Sequence, residues 1–268
     1  MSNNLLVELF VEELPPKALK KLGDAFATAI FESLKAQELT QGNSASVAYA
    51  SPRRLAVQIS HLSAQADDKA VSQKLMPVSV GLDANGNATP ALIKKLNALG
   101  ADESVLGDLK TENDGKADVL FFNALVKGAS LAEGLQKAIE EALAKLPIPK
   151  VMTYQLNDGW ESVNFVRPAH GLVALHGNQV VPVSVLGLTA NNQTQGHRFE
   201  ASVSPVVLKD ADSYEAQLQN QGAVIPSFEK RRAEIARQLS AASQKQGLKP
   251  IEDDDLLDEV TALVERPN

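Results

Sequence analysis

Two stretches in the second half of the chain place a histidine close to an arginine at a turn. Arg167 and His170 lie in NFVRPAHGLVALHG, and His197 and Arg198 lie in TQGHRFEA. An imidazole can act as a general base, and a guanidinium beside a proline or glycine can donate two hydrogen bonds to a phosphate. The same pairs can also be structural polar contacts, so catalysis, phosphate binding and a structural role all stay open at this point.

Further basic residues lie at a proline turn and at the start of a helical pattern. Arg53 and Arg54 lie in SPRRL, and Lys230, Arg231 and Arg232 lie in FEKRRAEIAR. Together with the two histidine–arginine pairs they are the candidate RNA-binding residues, because such groups at turns can reach phosphate oxygens. The alternative is a solvated helix face for the 230–232 run and a buried carboxylate partner for the arginine of TQGHRFEA.

The sequence shows no catalytic, cofactor or metal pattern. It contains no HExxH helix, no GxSxG turn and no GxxxxGK[ST] phosphate loop. His170 and His176 have no carboxylates at metal-ligand spacing, and His61, alone in a strand pattern, is interpreted as structural. We therefore expect no catalytic residue in this chain and neither a metal nor a cofactor bound by it.

Composition favours a cytoplasmic protein that does not enter a membrane. Of the 268 residues, 44% are hydrophobic, which suffices for a packed core. No apolar run approaches the ~18 residues of a membrane span, there is no cysteine, and the first residues are unlike a signal peptide. The net charge of −7 should repel polyanions, so contact with RNA requires a local basic patch.

Apolar periodicity predicts an α+β fold of mixed or antiparallel sheets and packed helices in two sub-domains. The first strand should bury Leu5, Val7, Leu9 and Val11 on one face, and two more strands should meet at Ser51–Pro52. Residues 114–128 are interpreted as a hairpin of two strands, and the helix after residue 228 should bury Ile235 and Leu239. The predicted helices cover about residues 16–37, 90–99, 130–146 and 229–247, and another starts near residue 253.

The sequence PIPK, at Pro147–Lys150, ends one helical pattern and is the predicted domain boundary. Residues 1–146 are expected to form an N-terminal α+β domain. Residues 150–225 are expected to form a β-rich domain, and residues 226–268 a helical segment.

Six motifs give the chain a resemblance to the beta subunit of bacterial glycyl-tRNA synthetase, and they occur in the order found in that family. The motifs are LLVELFVEELPPKAL, SPRRLAV, LAKLPIPKVM, FVRPAHGLVALHG, VLGLTANNQTQGHRF and LLDEVTALVERP. EELPPKAL and the pair FVRPxH with GHRF are specific, whereas the match is looser from about Gln65 to Lys127. Members of the family are more than twice as long, so the resemblance implies an N-terminal fragment.

The resemblance implies a ligase that charges tRNA(Gly) with glycine in protein biosynthesis, organised as an α2β2 heterotetramer. The alpha subunit would hold the class II site that uses ATP and magnesium, and the beta subunit would contribute tRNA binding. Anticodon-binding and HD-type domains would lie beyond residue 268, and the β-rich part resembles the B3/B4 module of phenylalanyl-tRNA synthetase. The expected partners are the alpha subunit and tRNA(Gly), and the chain alone should be inactive.

Two places depart from the family pattern. Thr153, Tyr154 and Gln155 stand where the family has Arg-Trp-Gly, and GHRFEA replaces GHRFMG, which puts Glu200 near Arg198. Both changes weaken the transfer of a tRNA-binding role to these places.

Two alternatives to RNA binding remain. One is a scaffold that docks the alpha subunit without touching RNA, which the net charge favours. The other is a hydrolytic editing domain with His170 or His197 as its base, although glycine has no side chain for an editing pocket to sort. We also expect Arg167 and His197 to lie close together in the fold, because each follows a strand-like run in the same β-rich region.

Overall fold

The computed structural model describes residues 2–115, 117–156 and 158–268. The helices are α1 (Pro16–Ala36), α2 (Val78–Gly81), α3 (Pro90–Ala98), α4 (Leu131–Lys145), α5 (Tyr214–Asn220), α6 (Phe228–Lys245) and α7 (Asp254–Thr261), with a 3-10 helix over Glu103–Asp108. The strands are β1 (Ser2–Val11), β2 (Ser46–Ser51), β3 (Arg54–Ser63), β4 (Lys69–Pro77), β5 (Lys110–Asn113), β6 (Asp118–Val126), β7 (Met152–Gln155), β8 (Ser162–Phe165), β9 (Ala169–His176), β10 (Gln179–Val180), β11 (Ser184–Val185), β12 (Leu188–Thr189), β13 (Gln193–Thr194) and β14 (Val206–Val207). Helices beside small antiparallel sheets confirm the predicted α+β class.

The chain divides into two compact units. The first contains Met1–Ala66 and Ala129–Asn268, and the second contains Asp67–Gly128. The second unit nearly coincides with the stretch in which the family resemblance is loosest. The boundary predicted at Pro147–Lys150 lies inside the first unit, because β9, which follows it, pairs with β1, which precedes it.

The first unit is built on an antiparallel five-stranded sheet with the order β10-β9-β1-β3-β2. Strand β1 is central, and its Leu9 lies opposite Leu55 of β3 on one side and Leu172 of β9 on the other. The predicted face of β1 packs with α1 and α4 into one core, which confirms that prediction. Helix α1 begins with Pro16 in its first turn, as expected of a residue with a fixed φ and no N–H.

The opposite face of β1 is buried as well. Leu6 of β1 lies in a second core with Tyr49 of β2 and with Tyr214 and Leu218 of α5. Glu8 stands on this same face because side chains alternate along a strand. The sheet is therefore covered on both faces, and a carboxylate is enclosed in its second core.

The second unit has its own small core beneath a three-stranded sheet of order β4-β6-β5. Leu92 and Leu96 of α3 pack there with Leu120 of β6. The prediction of two strands within residues 114–128 is wrong: β6 is one strand in the middle of the sheet, which explains its long apolar run, and its hairpin partner is β5. Lys116, within that stretch, lies outside the described residues.

Helices α6 and α7 confirm the two helical segments expected near the end of the chain. The side chain of Asp253 caps α7 by accepting a hydrogen bond from the Leu256 N–H (2.9 Å). The expectation that Leu239 is buried is wrong, since it is 49% exposed. Helix α6 is covered at its beginning, where Phe228 and Arg231 are buried, and Leu239 lies beyond this covered part.

Candidate nucleic-acid interface

The segment that follows β1 lies between two of the proline turns that carry candidate residues. The N–H of Leu14 donates to the carbonyl of Pro52 (2.7 Å), and the N–H of Glu12 donates to the carbonyl of Pro168 (2.9 Å). The turns SPRRL and FVRPAH, distant in sequence, are therefore held on the same short segment.

An open cavity of about 240 Å³, here called the rim cavity, lies beside the first of these turns. It combines residues of the segment after β1, the β2–β3 turn, the GHRF turn and the end of the chain. Its lining consists of Glu13, Pro52, Arg53, His197, Arg198, Phe199, Leu263, Val264, Glu265 and Arg266. Three candidate residues thus meet at one cavity.

The two candidate arginines of the rim cavity hold no ion pair or hydrogen-bonded side chain within the described part of the chain. The guanidinium of Arg53 is stacked on the ring of Phe10, with its Cζ 4.7 Å from the ring centroid. A cation–π contact of this kind positions the group without using its N–H donors. The Nε of Arg53 is buried, so Nη1 and Nη2 are the donors that a ligand can reach, whereas Arg198 is exposed. Both cations can therefore bind an anionic ligand.

His197 shapes the turn that carries Arg198. Its Nδ1 accepts hydrogen bonds from the N–H groups of Phe199 (3.3 Å) and Glu200 (3.2 Å). This assignment places the proton of the neutral ring on Nε2, which remains a donor. The carboxylate of Glu200 pairs with Arg266 (3.4 Å), so within the described residues the departure GHRFEA leaves Arg198 without an ion pair.

Two glycines fix this turn against the end of α5. The N–H of His197 donates to the carbonyl of Gly222 (2.6 Å). A Cβ on Gly196 would lie 2.6 Å from the Cα of Gly222 and 2.7 Å from the Cβ of Ala201. Only glycine fits at this approach.

Arg54, the neighbour of Arg53, is fully buried in a polar cluster of the second core. Its Nη2 donates to the carbonyl of Gln195 (2.7 Å), and its Nε lies 3.7 Å from Glu8. Nη2 also lies 3.7 Å from Glu265. In this conformation Arg54 presents no donor at the surface, so it belongs to the interior and not to a phosphate-contacting surface.

Glu8 is held in the same polar cluster by two hydroxyl groups. Tyr214 donates to Glu8 Oε2 (2.5 Å), and Thr194 donates to Oε1. Burial raises the pKa of Tyr214 well above its ordinary value, and the negative charge of Glu8 raises it further. The phenol therefore stays protonated and donates to the carboxylate.

Arg231 is also fully buried and binds backbone carbonyls. Its guanidinium donates to Thr261 (3.0 Å), Ile225 (2.7 Å) and Ala50 (2.8 Å). Burial lowers its pKa to about 10, with a further lowering from Arg54. Arg231 thus fastens α6 to β2 and α7, and it presents no donor at the surface.

The other two candidate residues of α6, Lys230 and Arg232, are engaged in ion pairs. Lys230 binds Glu215 (2.7 Å), and Arg232 binds Asp254 and Asp258 (2.5 Å each). Hydrogen bonds to Asp258 and Asp254 raise the pKa of Arg232. A phosphate would have to compete with these carboxylates.

Arg167 and His170 bind the segment after β1. Arg167 Nε donates to the carbonyl of Glu13 (2.8 Å), and His170 Nε2 lies 3.0 Å from the carboxylate of Glu12. His170 lines a different cavity, of about 630 Å³, with Asp158 and Glu161 among its other residues. Glu13, whose carbonyl binds Arg167, lines the rim cavity together with His197. The proximity of the Arg167 and His197 side chains stays a prediction.

Sequence reasoning missed Phe199, Glu265 and Arg266 as parts of the rim cavity. Phe199 stands within the GHRF motif, but an aromatic residue is expected in a core, and nothing in the sequence shows that it is exposed. In residues 2–115, 117–156 and 158–268, no cluster of His, Cys, Asp or Glu is arranged to hold a metal ion. No helix within those same ranges is long and apolar enough to cross a membrane.

The rim cavity is thus a surface site of free cations and an aromatic ring on an α+β unit. The family model for the glycyl-tRNA synthetase beta subunit matches residues 5–268, and the chain belongs to this family. It is 69% identical to the glycine–tRNA ligase beta subunit of Acidovorax sp. (strain JS42) over 99% of this chain and 37% of that relative. It is 67% identical to the Dechloromonas aromatica (strain RCB) protein of the same name over 100% of this chain and 39% of that relative. The chain spans less than two fifths of the length of these curated relatives.

Proposed function

We propose that this chain is the part of a glycine–tRNA ligase beta subunit that contributes to tRNA binding and to assembly with a catalytic alpha subunit. The whole enzyme would be a cytoplasmic α2β2 ligase that charges tRNA(Gly) with glycine, with ATP and magnesium used by the alpha subunit. The observation that carries this proposal is the family match over residues 5–268.

The free cations of the rim cavity support an RNA-binding role. Arg53 and Arg198 lie on different turns, and neither has an ion pair within the described residues. The chain as a whole carries a net charge of −7, so an anionic ligand would be favoured at such a local site and repelled elsewhere. Arginine is also suited to phosphate because its planar group can donate two parallel hydrogen bonds.

The hairpin of β7 and β8 supports the second role, assembly with another protein subunit. Trp160, in its turn, is 91% exposed, and Val151 and Met152 at its base are exposed as well. Tryptophan is enriched among the residues that contribute most to protein–protein binding. A scaffold that binds the alpha subunit and no RNA is therefore the second candidate.

An editing function has less support. The half-exposed His170–Glu12 pair resembles a base with an orienting carboxylate, but a hydrolytic reaction also needs a substrate group that distinguishes a wrong amino acid. His197 uses its Nδ1 to hold its own turn. We therefore retain tRNA binding and assembly as the proposal.

The test is a binding experiment with two ligands. The purified chain is titrated with a tRNA(Gly) transcript, and in parallel with tagged alpha subunit. Between about 50 and 200 mM salt, the affinity for tRNA should fall about 10- to 40-fold if two or three phosphates are contacted. Binding to the alpha subunit alone, with no tRNA bound at either salt concentration, would replace the proposal by the scaffold.

Catalysis should be absent from the isolated chain. Mixed with glycine, ATP, magnesium and tRNA, it should produce no glycyl-tRNA and no ATP–pyrophosphate exchange, because adenylate formation needs a site for phosphates and metal. The measurement is incorporation of labelled glycine and labelled pyrophosphate. Exchange by the purified chain would contradict the proposed division of labour between the subunits.

A further inference from the structure

The aromatic ring of Phe199 is almost fully exposed beside the rim cavity. The residue is 87% exposed, and its ring contacts the imidazole of His197 edge-to-face, with centroids 6.2 Å apart. A single exposed apolar residue is ordinary on a protein surface. This ring, however, belongs to the lining of a cavity and directly follows Arg198, which has no ion pair in the part of the chain that the structure describes. Its free face is therefore available for stacking.

Two separate turns supply cations to the cavity. Arg53 comes from the β2–β3 turn and is held by its stacking on Phe10, whereas Arg198 comes from the turn fixed at Gly222. The lining holds two carboxylates: Glu265 is paired with the buried Arg54 (3.7 Å), and Glu13 is exposed. The three arginines of the lining, Arg53, Arg198 and Arg266, outnumber these two carboxylates, so the net charge of the lining is positive and the cavity favours a phosphate.

The cavity is too small to enclose a drug-sized ligand, but it has room for part of a nucleotide. Its volume of about 240 Å³ is smaller than the ~300–1,000 Å³ of pockets that enclose drug-sized ligands. A phosphate with part of its sugar fits this space, and the attached base would lie outside, against Phe199.

We propose that the rim cavity binds one unpaired nucleotide of an RNA strand, with the phosphate on Arg53 and Arg198 and the base stacked on Phe199. The inference rests on the proposed function and names the part of the RNA that this site takes. Aromatic stacking combined with arginine–phosphate contacts is how unpaired nucleotides are commonly bound, because every base has a flat face. A fully paired helix offers its phosphates but no free base.

The test uses the whole 268-residue chain and a fluorescein-labelled single-stranded RNA hexamer, with binding followed by anisotropy. Phe199→Ala should weaken binding about 5- to 150-fold, the change that corresponds to the loss of one stacked base. Phe199→Trp should restore the affinity, because it returns a stacking face. Arg53→Ala and Arg198→Ala should each lower the slope of log affinity against log salt by about 0.7.

Ile251→Ala is the matched control, since this residue is equally exposed and apolar but lies outside the rim cavity. It should bind the hexamer as the unchanged chain does. As competitors, the same six nucleotides paired with their complement in the stem of a blunt-ended hairpin should be less effective than the single strand. Because Phe199 is exposed, Phe199→Ala should keep the thermal unfolding midpoint of the unchanged chain, which separates a binding defect from misfolding.

The outcomes separate this inference from the proposed function. If Phe199→Ala binds the hexamer unchanged while the chain still binds tRNA, the nucleotide site is refuted and the proposed function stands. If the unchanged chain binds neither the hexamer nor tRNA at low salt, RNA binding itself is refuted. If the Phe199→Ala variant no longer binds the alpha subunit but still binds RNA, the ring belongs to a protein interface and the inference is overturned.

Discussion

The rim cavity and the buried polar cluster use the same residue types for opposite purposes. Arg53 and Arg54 are neighbours in sequence, and both contact the ring of Phe10, with Cζ at 4.7 and 5.6 Å from its centroid. Arg53 lies in the turn and keeps its Nη1 and Nη2 donors available, whereas Arg54 begins β3 and projects into the second core. A basic pair in the sequence therefore does not indicate two equivalent surface cations.

The pair Arg231–Arg232 shows the same difference on a helix. Arg231 faces the interior and binds carbonyls, while Arg232 faces outward and binds two aspartates. In both pairs one arginine contributes to the fold and the other remains near solvent. Substitutions within each pair therefore provide matched tests.

The largest effect is expected for Arg54→Met. The change leaves Glu8 and Glu265 buried without their cation, and breaking a buried ion pair in this way costs about 3–5 kcal/mol. The measurement is urea unfolding followed by circular dichroism. Arg53→Met is the control and should cost less than about 1 kcal/mol. Equal losses of unfolding free energy for the two variants would contradict the distinction between the buried polar cluster and the rim cavity.

A somewhat smaller loss is expected for Arg231→Met. The carbonyls of Thr261, Ile225 and Ala50 lose their donor, and buried acceptors without partners should lower the free energy of unfolding by about 2–3 kcal/mol. The same denaturation experiment on Arg232→Met should show a loss below about 1 kcal/mol, because its ion pairs are near solvent. A larger loss for Arg232→Met than for Arg231→Met would contradict the structural role given to Arg231.

Alkaline pH should weaken the fold through the tyrosines of the second core. Burial, with a contribution from Glu215, raises the pKa of Tyr49 to about 12, and Tyr214 is raised as well. In the unfolded chain both tyrosines ionise near pH 10, so between about pH 10 and 12 these two groups bind more protons in the folded state. Arg231, whose pKa is lowered to about 10, acts in the opposite direction, but it is one group against two. The free energy of unfolding should be unaffected below that window and should fall as the pH rises through it.

Urea unfolding at about pH 8.5 and about pH 11 measures this fall. Tyr49→Phe and Tyr214→Phe should each make it smaller, since one group no longer ionises on unfolding. A fall of the same size in both variants would show that other groups cause it.

The smallest effect is expected for Lys230→Ala on RNA binding. Lys230 is paired with Glu215 at 2.7 Å, so it should contribute little to a phosphate contact. The affinity of the Lys230→Ala variant for the single-stranded hexamer should stay within about twofold of that of the unchanged chain, because one exposed charge is screened by salt. A loss as large as that of Arg198→Ala would extend the RNA site from the rim cavity to α6.

Local patterns were sufficient to predict several elements. The apolar stripe of α1 and the alternation along β1 depend on residues close in sequence, so both were predicted correctly. The burial of the second face of β1 was not predicted, because in the sequence Glu8 resembles a solvent-facing residue. Only the fold places the hydroxyl groups of Thr194 and Tyr214 against its carboxylate. The pairing of β9 with β1 is equally non-local, and it crosses a proline-rich stretch that locally resembles a boundary.

The candidate site was predictable in part. The GHRF and SPRR motifs indicated two of its turns, but only the fold shows which arginine of SPRR is free and that Phe199 is exposed. The ion pairs of Lys230 and Arg232 likewise depend on α5 and α7, which are separate elements in the sequence.

The glycine contact at the GHRF turn has a consequence for the entropy of association. Because Gly196 and Gly222 approach without side chains and His197 is hydrogen-bonded across them, the backbone of the turn is already ordered before any ligand arrives. A mobile loop would lose backbone conformational freedom on binding, which reduces affinity. In this turn chiefly side-chain rotamers remain to be immobilised, and each flexible side chain costs ~0.5–1.5 kcal/mol of binding free energy. A side chain at residue 196 would thus weaken binding by loosening the turn, even though it adds no unfavourable contact with the ligand itself.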